Sequence, residues 1–153
     1  LEFLGTIRAD LPWGLTVPMN VAYTFTDARF VEPTENADPL YGGAEEGDYI
    51  PYLPMHQAMI SLGLNHQDFD VTLAGKYQDA MRDTPGQGPL EDVLTTDAHL
   101  VLDLAGTYRL SQNLAVYVKI DNVTREKYIV SHRPFGIRPG KPMRMFVGLK
   151  AEM

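Results

Sequence analysis

The feature that most constrains this chain is a period-two alternation of apolar and polar residues, which is clearest over residues 114–149. Two alternating segments there flank a loop rich in Pro, Gly and Arg. In the first segment the apolar positions are Leu114, Val116, Val118 and Ile120. Because successive side chains of a strand project to opposite sides, the pattern predicts strands with one apolar and one mixed face. No segment shows a convincing helical period.

The same alternation recurs along the chain and predicts an all-β fold of about seven antiparallel strands in up-and-down order. Each strand is expected to pair with its neighbour in sequence, and the connections are alternately short and long. We expect Pro18 near the start of its strand or at a bulge, because proline cannot donate to the strand ladder. The predicted strands span residues 2–9, 15–30, 55–65, 69–79, 96–108, 114–121 and 143–150.

Strands of about 8–14 residues are long enough to cross a bilayer at a tilt. A soluble sandwich would turn the apolar faces inward, whereas a membrane barrel turns them outward and keeps polar groups inside. The regular loop asymmetry favours an antiparallel up-and-down transmembrane β-barrel segment, because such barrels have short turns at one end and longer loops at the other. The residues expected to face lipid are Ala98, Leu100, Leu102, Leu104, Val116, Val118, Ile120, Val147 and Leu149.

Seven strands in sequence leave two open sheet edges. Open edges cannot lie in hydrocarbon, because their unpaired N–H and C=O groups find no water there. We therefore expect further strands, either upstream of Leu1 or from another chain, and we do not expect residues 1–9 to close directly on residues 144–150.

Composition narrows the possible functions. The 153 residues carry a formal charge of −7, which argues against nucleic acid as a partner because nucleic acids bind basic surfaces. The chain has no cysteine, hence no disulfide framework and no thiolate metal site. It has no apolar run of about 18 residues that would predict a transmembrane helix. Its start, LEFLGTIRAD, does not resemble a signal peptide, so we expect part of a longer protein.

The sequence contains no nucleophile elbow, phosphate-binding loop or zinc motif, so we predict neither an enzyme nor a catalytic residue. The four histidines are scattered without metal-ligand spacing, and we expect no metal site and no cofactor. Asp97, His99 and Asp103 share a face of the fifth strand. They form either a carboxylate–imidazole site or, as we expect, a hydrogen-bonded network on the polar face. Lys119 and Asp121 are predicted to form a charge pair on that face.

Two motifs near the end of the chain resemble a known family. Residues 120–128, IDNVTREKY, resemble the N-L-x-D-x-x-Y segment of TonB-dependent outer-membrane receptors. Residues 138–142, RPGKP, and residues 145–150, MFVGLK, are similar to the family's closing R-P-G-R motif and last strand. Residues 128–140 are most similar to ferric-citrate-type receptors. The chain departs from the family pattern at Arg125, where the family usually has Asp, and in ending with Ala-Glu-Met rather than an aromatic residue.

The resemblance implies that residues 1–153 are the C-terminal part of a receptor barrel, without the plug domain. It implies uptake of a ferric siderophore, with ferric citrate as the specific expectation, across the bacterial outer membrane. The energy would come from the TonB complex acting through the plug domain, and the barrel would contact outer-membrane lipid.

A ferric citrate complex is anionic, so its site needs fixed positive charge and hydrogen-bond donors. The loop after the sixth strand supplies such groups, and Arg82, just above the fourth strand, adds a further charge. Alternatively, the loop arginines pair with acids of a neighbouring loop, of which residues 32–48 carry six. The candidate ligand-binding residues are Arg133, Arg138, Ser131, His132 and Arg82.

Two other functions fit a β-barrel of this size. One is a soluble barrel that binds a lipid or another small molecule, in which about eight strands close around one ligand. The other is a small eight-stranded outer-membrane protein with a structural role. The odd number of strands, the long loops at one end and the two closing motifs favour the receptor.

Overall fold

The computed structural model describes residues 1–34, 43–90, 95–133 and 136–152, and in these the chain forms one seven-stranded sheet and one two-stranded ribbon. A short 3-10 turn, Pro12–Gly14, joins the first two strands. The strands are β1 (Glu2–Leu11), β2 (Leu15–Phe25), β3 (His56–Asn65), β4 (Phe69–Gln78), β5 (His99–Ser111), β6 (Leu114–Asp121), β7 (Ile129–Ser131), β8 (Arg138–Pro139) and β9 (Arg144–Ala151).

The large sheet has the order β1-β2-β3-β4-β5-β6-β9, and all of its pairs are antiparallel. The small ribbon of β7 and β8 lies within the last long connection. Short connections alternate with long ones along the whole sheet. The predicted all-β, up-and-down architecture is confirmed.

The second predicted strand is too long. It was expected to reach residue 30, but β2 ends at Phe25. Beyond that point the backbone leaves the sheet and pairs with its own loop, where Phe30 N donates to Asp48 O at 2.9 Å. The alternating pattern persists over these residues, but the loop supplies the hydrogen-bond partner instead of β3.

The fifth predicted strand is displaced. It was expected over residues 96–108, but it runs from His99 to Ser111. The amide of Thr96 donates to Met81 O at 2.8 Å across the preceding loop and therefore does not join the sheet ladder. The remaining strand ends lie within about two residues of the predicted ones. The β7–β8 ribbon was not predicted, because strands of three and two residues are too short to show a period.

The two faces of the sheet differ in chemistry, and register aligns the residues of each face across the strands. On the apolar face Leu104 lies opposite Ile120, and Ile120 lies opposite Met145. All of the predicted lipid-facing residues that lie in paired strands fall on this face; Ala98 precedes β5 and is not paired in the sheet. Several remain exposed in the isolated sheet, with Val147 60% and Leu149 70% accessible.

No second layer covers the apolar face in the described part of the chain. The buried side chains Ala44 and Met81 lie in the long loops rather than on the strands. The other, polar face lines an open groove of about 770 Å³, whose walls include Lys76, His99 and Asp103. The arrangement is that of a single sheet with one apolar and one polar face, and it differs from the packed core of a sandwich.

β1 and β9 occupy opposite edges of the sheet, and neither pairs with the other in the described residues. This agrees with the expectation that residues 1–9 do not close on residues 144–150. Within the described residues, no helix reaches the length and hydropathy needed to cross a membrane.

Candidate functional site

The three long connections lie at one end of the sheet and contact one another. They are the first long loop (residues 26–55), the second long loop (79–98) and the third long loop (122–143). The first and second loops are joined by Tyr49 N, which donates to Gly86 O at 3.1 Å. The second and third are joined by Asp97 N, which donates to Ile129 O at 3.2 Å. We refer to this assembly as the long-loop end.

Asn122 fixes the start of the third long loop. Its side chain is almost fully buried, and its backbone has a positive φ of 53°, a conformation that Asn tolerates better than most residues. The side-chain amide donates to Glu126 O and Lys141 O, both at 2.9 Å, and accepts from Glu126 N at 2.8 Å. One buried amide therefore joins the two ends of the loop.

Tyr128 brings together the two motifs that carried the family resemblance. Its ring stacks on His99 of β5, with centroids 3.9 Å apart and planes 19° apart. It also lies directly over Gly140, and Gly140 N donates to Tyr128 O at 2.7 Å. The conformation of the third long loop thus depends on contacts between its two motifs and with β5.

Asp83 lies at the centre of the long-loop end. It belongs to the second long loop and is 5% exposed. Tyr52 of the first loop donates its hydroxyl to Asp83 Oδ1 at 2.5 Å. From the third loop, His132 Nδ1 lies 3.2 Å from the same oxygen, and Arg133 Nε lies 3.9 Å from Asp83 Oδ2. The three long loops therefore meet at one buried carboxylate.

Tyr52 and Ser131 complete this cluster. Burial raises the pKa of Tyr52, and so does the hydrogen bond to Asp83, which means that the phenol stays protonated and donates. Ser131 Oγ lies 3.4 Å from the Tyr52 hydroxyl oxygen and accepts from Arg133 N at 3.1 Å. We call Tyr52, Asp83, Ser131, His132 and Arg133 the Asp83 cluster.

The structure brings together three of the five predicted ligand-binding residues, namely Ser131, His132 and Arg133. His132 and Arg133 share Asp83 as a partner, whereas Ser131 contacts Tyr52 and the backbone of Arg133. The alternative role of these cations, pairing with an acid of a neighbouring loop, is seen at Arg133, whose acidic partner Asp83 belongs to the second long loop. Glu35 and Asp38, two of the six acids of residues 32–48, lie outside the described residues.

The side chains of the other two predicted ligand-binding residues do not bond Asp83 in the described part of the chain. Arg82 donates to the carbonyls of Gly88 and Pro89, in its own loop. Arg138 lies on β8, opposite Ser131, and is exposed. Among the described residues, no side-chain hydrogen bond or ion pair involves the Arg138 guanidinium.

A second aromatic–cationic group lies beside the Asp83 cluster and was not predicted. The guanidinium carbon of Arg29 lies 4.1 Å from the centroid of the Tyr49 ring, and that of Arg82 lies 5.7 Å from it. A hydrogen bond from Arg29 to Asp27 raises the pKa of the Arg29 guanidinium above its ordinary value. Tyr49 and Arg82 also line a cavity of about 220 Å³ between the first and second loops.

Tyr49, Tyr52 and Asp83 were missed because their roles depend on contacts between distant loops. Asp83 is the immediate neighbour of Arg82, which was singled out for its charge. Alternating burial does not mark residues in loops, and a single carboxylate among many acids has no distinctive sequence signal.

Ion pairs cover the polar face below the loops. Lys76 Nζ lies 3.0 Å from Asp103 Oδ2, and Asp121 accepts from Lys119 at 3.0 Å and from Arg144 at 2.7 Å. The predicted charge pair of Lys119 and Asp121 is confirmed. Asp103 and Asp121 are thus each matched by at least one cation.

Asp97, His99 and Asp103 take part in a hydrogen-bonded network rather than a joint site, as expected. Asp97 Oδ2 accepts from Ile129 N at 2.8 Å, whereas Asp103 bonds Lys76. His99 Nδ1 lies 2.9 Å from the Asp97 carbonyl. The two carboxylates therefore serve different partners, and the imidazole bonds neither of them.

Comparison with known proteins agrees with this geometry. The family model described as TonB dependent receptor-like, beta-barrel, matches residues 1–123. The fold is similar to that of the siderophore receptor PiuA from Acinetobacter baumannii, with a TM-score of 0.69 and 10% identity over 98% of this chain and 21% of that chain. No curated protein sequence matches the chain.

Two further solved structures have the same fold. The ferric-catecholate import receptor Fiu from E. coli K12 has a TM-score of 0.59 and 16% identity, over 97% of this chain and 26% of that chain. A mutant of the ferric enterobactin receptor PfeA from Pseudomonas aeruginosa has a TM-score of 0.55 and 18% identity, over 97% and 21%. The chain thus spans about a fifth to a quarter of the length of these structures.

Proposed function

This chain belongs to the TonB-dependent receptor β-barrel family, and on that premise we propose that it forms part of the wall of an outer-membrane barrel that takes up a ferric chelate. Members of this family are receptors rather than enzymes. The observation that carries the proposal is the two-faced sheet: an exposed apolar face, an ion-paired polar face, and long loops confined to one end.

In the proposed arrangement the apolar face contacts outer-membrane lipid and the polar face lines the interior of the barrel. The exposed Val147 and Leu149 support this assignment, because they would be costly in water and favourable against lipid. The free edges of β1 and β9 pair with other strands of the same receptor, which removes unpaired backbone groups from the hydrocarbon.

The proposed ligand is an anionic ferric siderophore, with ferric citrate as the specific candidate. The similar structures named as siderophore and ferric-catecholate receptors support a ferric chelate. Arg138 is the strongest contact candidate, because it is exposed and its guanidinium can donate two parallel bonds to a carboxylate. Arg133, His132, Ser131 and Arg82 are secondary contacts, because each already has partners within the loops.

We further propose that the TonB energy-coupling complex drives uptake through a plug domain of the same receptor. Family membership supports this, since the family is defined by dependence on TonB. The open groove on the polar face provides the space in which a plug and a passing ligand would lie.

The full-length receptor tests this proposal in a strain that lacks other iron receptors. Cells would be supplied with radioactive iron as ferric citrate or as a ferric catecholate, with and without TonB. Uptake of either chelate that requires both the receptor and TonB would support iron-chelate transport, and the preferred chelate would identify the ligand class. If iron uptake is the same with and without the receptor for both chelates, the proposed function is wrong.

A further inference from the structure

We propose that Asp83 is an anchor that couples the three long loops, so that loosening its contacts loosens the first and third loops together with the second. The inference concerns the conformation of the long-loop end and goes beyond the proposed transport function. It does not depend on which ligand the receptor takes.

The first argument is the burial and connectivity of the carboxylate. Asp83 is 5% exposed and has partners in both other loops, which are Tyr52, His132 and Arg133. A buried carboxylate is costly unless charged or polar donors satisfy it. Separating any of the loops from the other two would leave Asp83 short of a donor. The free energy of the long-loop end is therefore lowest when all three loops stay together.

The second argument is the backbone of Tyr52. This residue has a positive φ of 57°, which is unfavourable for a residue other than Gly. In this conformation its amide donates to Arg82 O at 3.0 Å while its hydroxyl donates to Asp83. Two adjacent residues of the second loop therefore hold one strained residue of the first, and the strain is released if they separate.

The third argument is that both ends of the second loop are fixed. At its neck the buried Thr96 accepts from Met81 N through its side chain at 2.9 Å, and its amide donates to Met81 O at 2.8 Å. Next to Thr96, Asp97 exchanges hydrogen bonds with Ile129 of the third loop. Asp83 is thus connected to the third loop by two routes. One is its direct contact with His132 and Arg133, and the other runs through Thr96 and Asp97 to Ile129.

Hydrogen–deuterium exchange of the full-length receptor in detergent tests this coupling. Asp83→Asn removes the charge and keeps the shape of the side chain. We expect exchange to accelerate about tenfold or more in peptides covering residues 49–53 and 129–133, as the loss of a charged hydrogen bond implies. The matched control is Asp79→Asn in the same loop, because the Asp79 carboxylate bonds Tyr77, only two residues away.

The proposal requires that Asp83→Asn, but not Asp79→Asn, accelerates exchange in the first and third loops together. If the acceleration is confined to residues 80–90, Asp83 is a local structural residue and the proposal is wrong. Tyr52→Phe provides a milder test should Asp83→Asn fail to fold. It removes one hydroxyl from the Asp83 cluster, and it must accelerate exchange in residues 129–133, which belong to a different loop. Unchanged exchange there would also overturn the proposal.

Discussion

The ring of Tyr128 covers Gly140 so closely that a Cβ atom at residue 140 would lie 2.1 Å from the ring. The backbone φ of Gly140 is not in the left-handed region, so close approach, rather than a special backbone conformation, explains the glycine. His99 stacks on the same ring and limits its freedom to move aside. The contact fixes the position of the R-P-G-K segment relative to β5.

We predict that Gly140→Ala destabilises the barrel by about 1–3 kcal/mol, because the added methyl group must displace a packed ring. The measurement is the free energy of unfolding of the full-length receptor in urea after folding into vesicles. Gly86→Ala is the control, since a Cβ there meets Arg82 Nη1 at an ordinary 3.4 Å. Equal stability of the two variants would show that Tyr128 moves aside without cost.

Asn122 gives a second prediction. Replacing it by Ala leaves the backbone groups of Glu126 and Lys141 without their partner, at a cost of about 1–3 kcal/mol. Asn122→Gly removes the same bonds but accepts the positive φ of 53° without strain, so it is expected to be more stable than Asn122→Ala. Unfolding in urea ranks the three proteins. Two variants with parental stability would exclude the proposed role of the amide.

The strand pattern was predictable because strands on a two-faced sheet carry a period of two in every segment. Residues 114–121 were placed correctly because Leu114, Val116, Val118 and Ile120 lie on the same face. The end of β2 at Phe25 was not predictable in the same way, since alternation continues while the backbone changes its partner from a strand to a loop.

The candidate site was predictable only in part. Ser131, His132 and Arg133 were identified from their chemistry and from their place in a loop that resembles the receptor family. In the structure these three residues lie together. Their partners Tyr52 and Asp83 lie 79 and about 50 residues away in sequence, and no local rule pairs them. Contacts between loops depend on how the sheet brings the ends of different strands together, which the sequence pattern of one segment does not encode.

A charge placed on the apolar face tests the orientation of the wall. Leu102→Arg is predicted to destabilise the barrel in a bilayer by about 2–4 kcal/mol, because mid-strand arginine would face hydrocarbon. Its neighbour Val101 lines the polar groove, so Val101→Arg is the matched control and is expected to cost less. Unfolding in urea from lipid vesicles measures both. A larger cost at Val101 would reverse the assignment of the faces.

Ligand contact is tested at two arginines of the third long loop. Arg138→Ala and Arg133→Ala are each predicted to weaken ferric citrate binding to the full-length receptor at least about tenfold, through loss of a charged hydrogen bond. Isothermal titration calorimetry measures the dissociation constants. Lys127→Ala, in the same loop and exposed, is the control for charge alone. If both arginine variants bind within about twofold of the parent, the arginines do not contact this ligand.

The central claim is that this sheet is a membrane-spanning wall with one lipid-facing and one interior face. Single cysteines placed in turn at residues 100–105 of the full-length receptor, carrying nitroxide labels in a bilayer, test it most directly. This chain has no cysteine of its own that would compete for the label. We predict that oxygen collides most often with labels at 100, 102 and 104, and that a water-soluble nickel complex collides most often with labels at 101, 103 and 105. Equal access of the nickel complex to all six positions would contradict the claim.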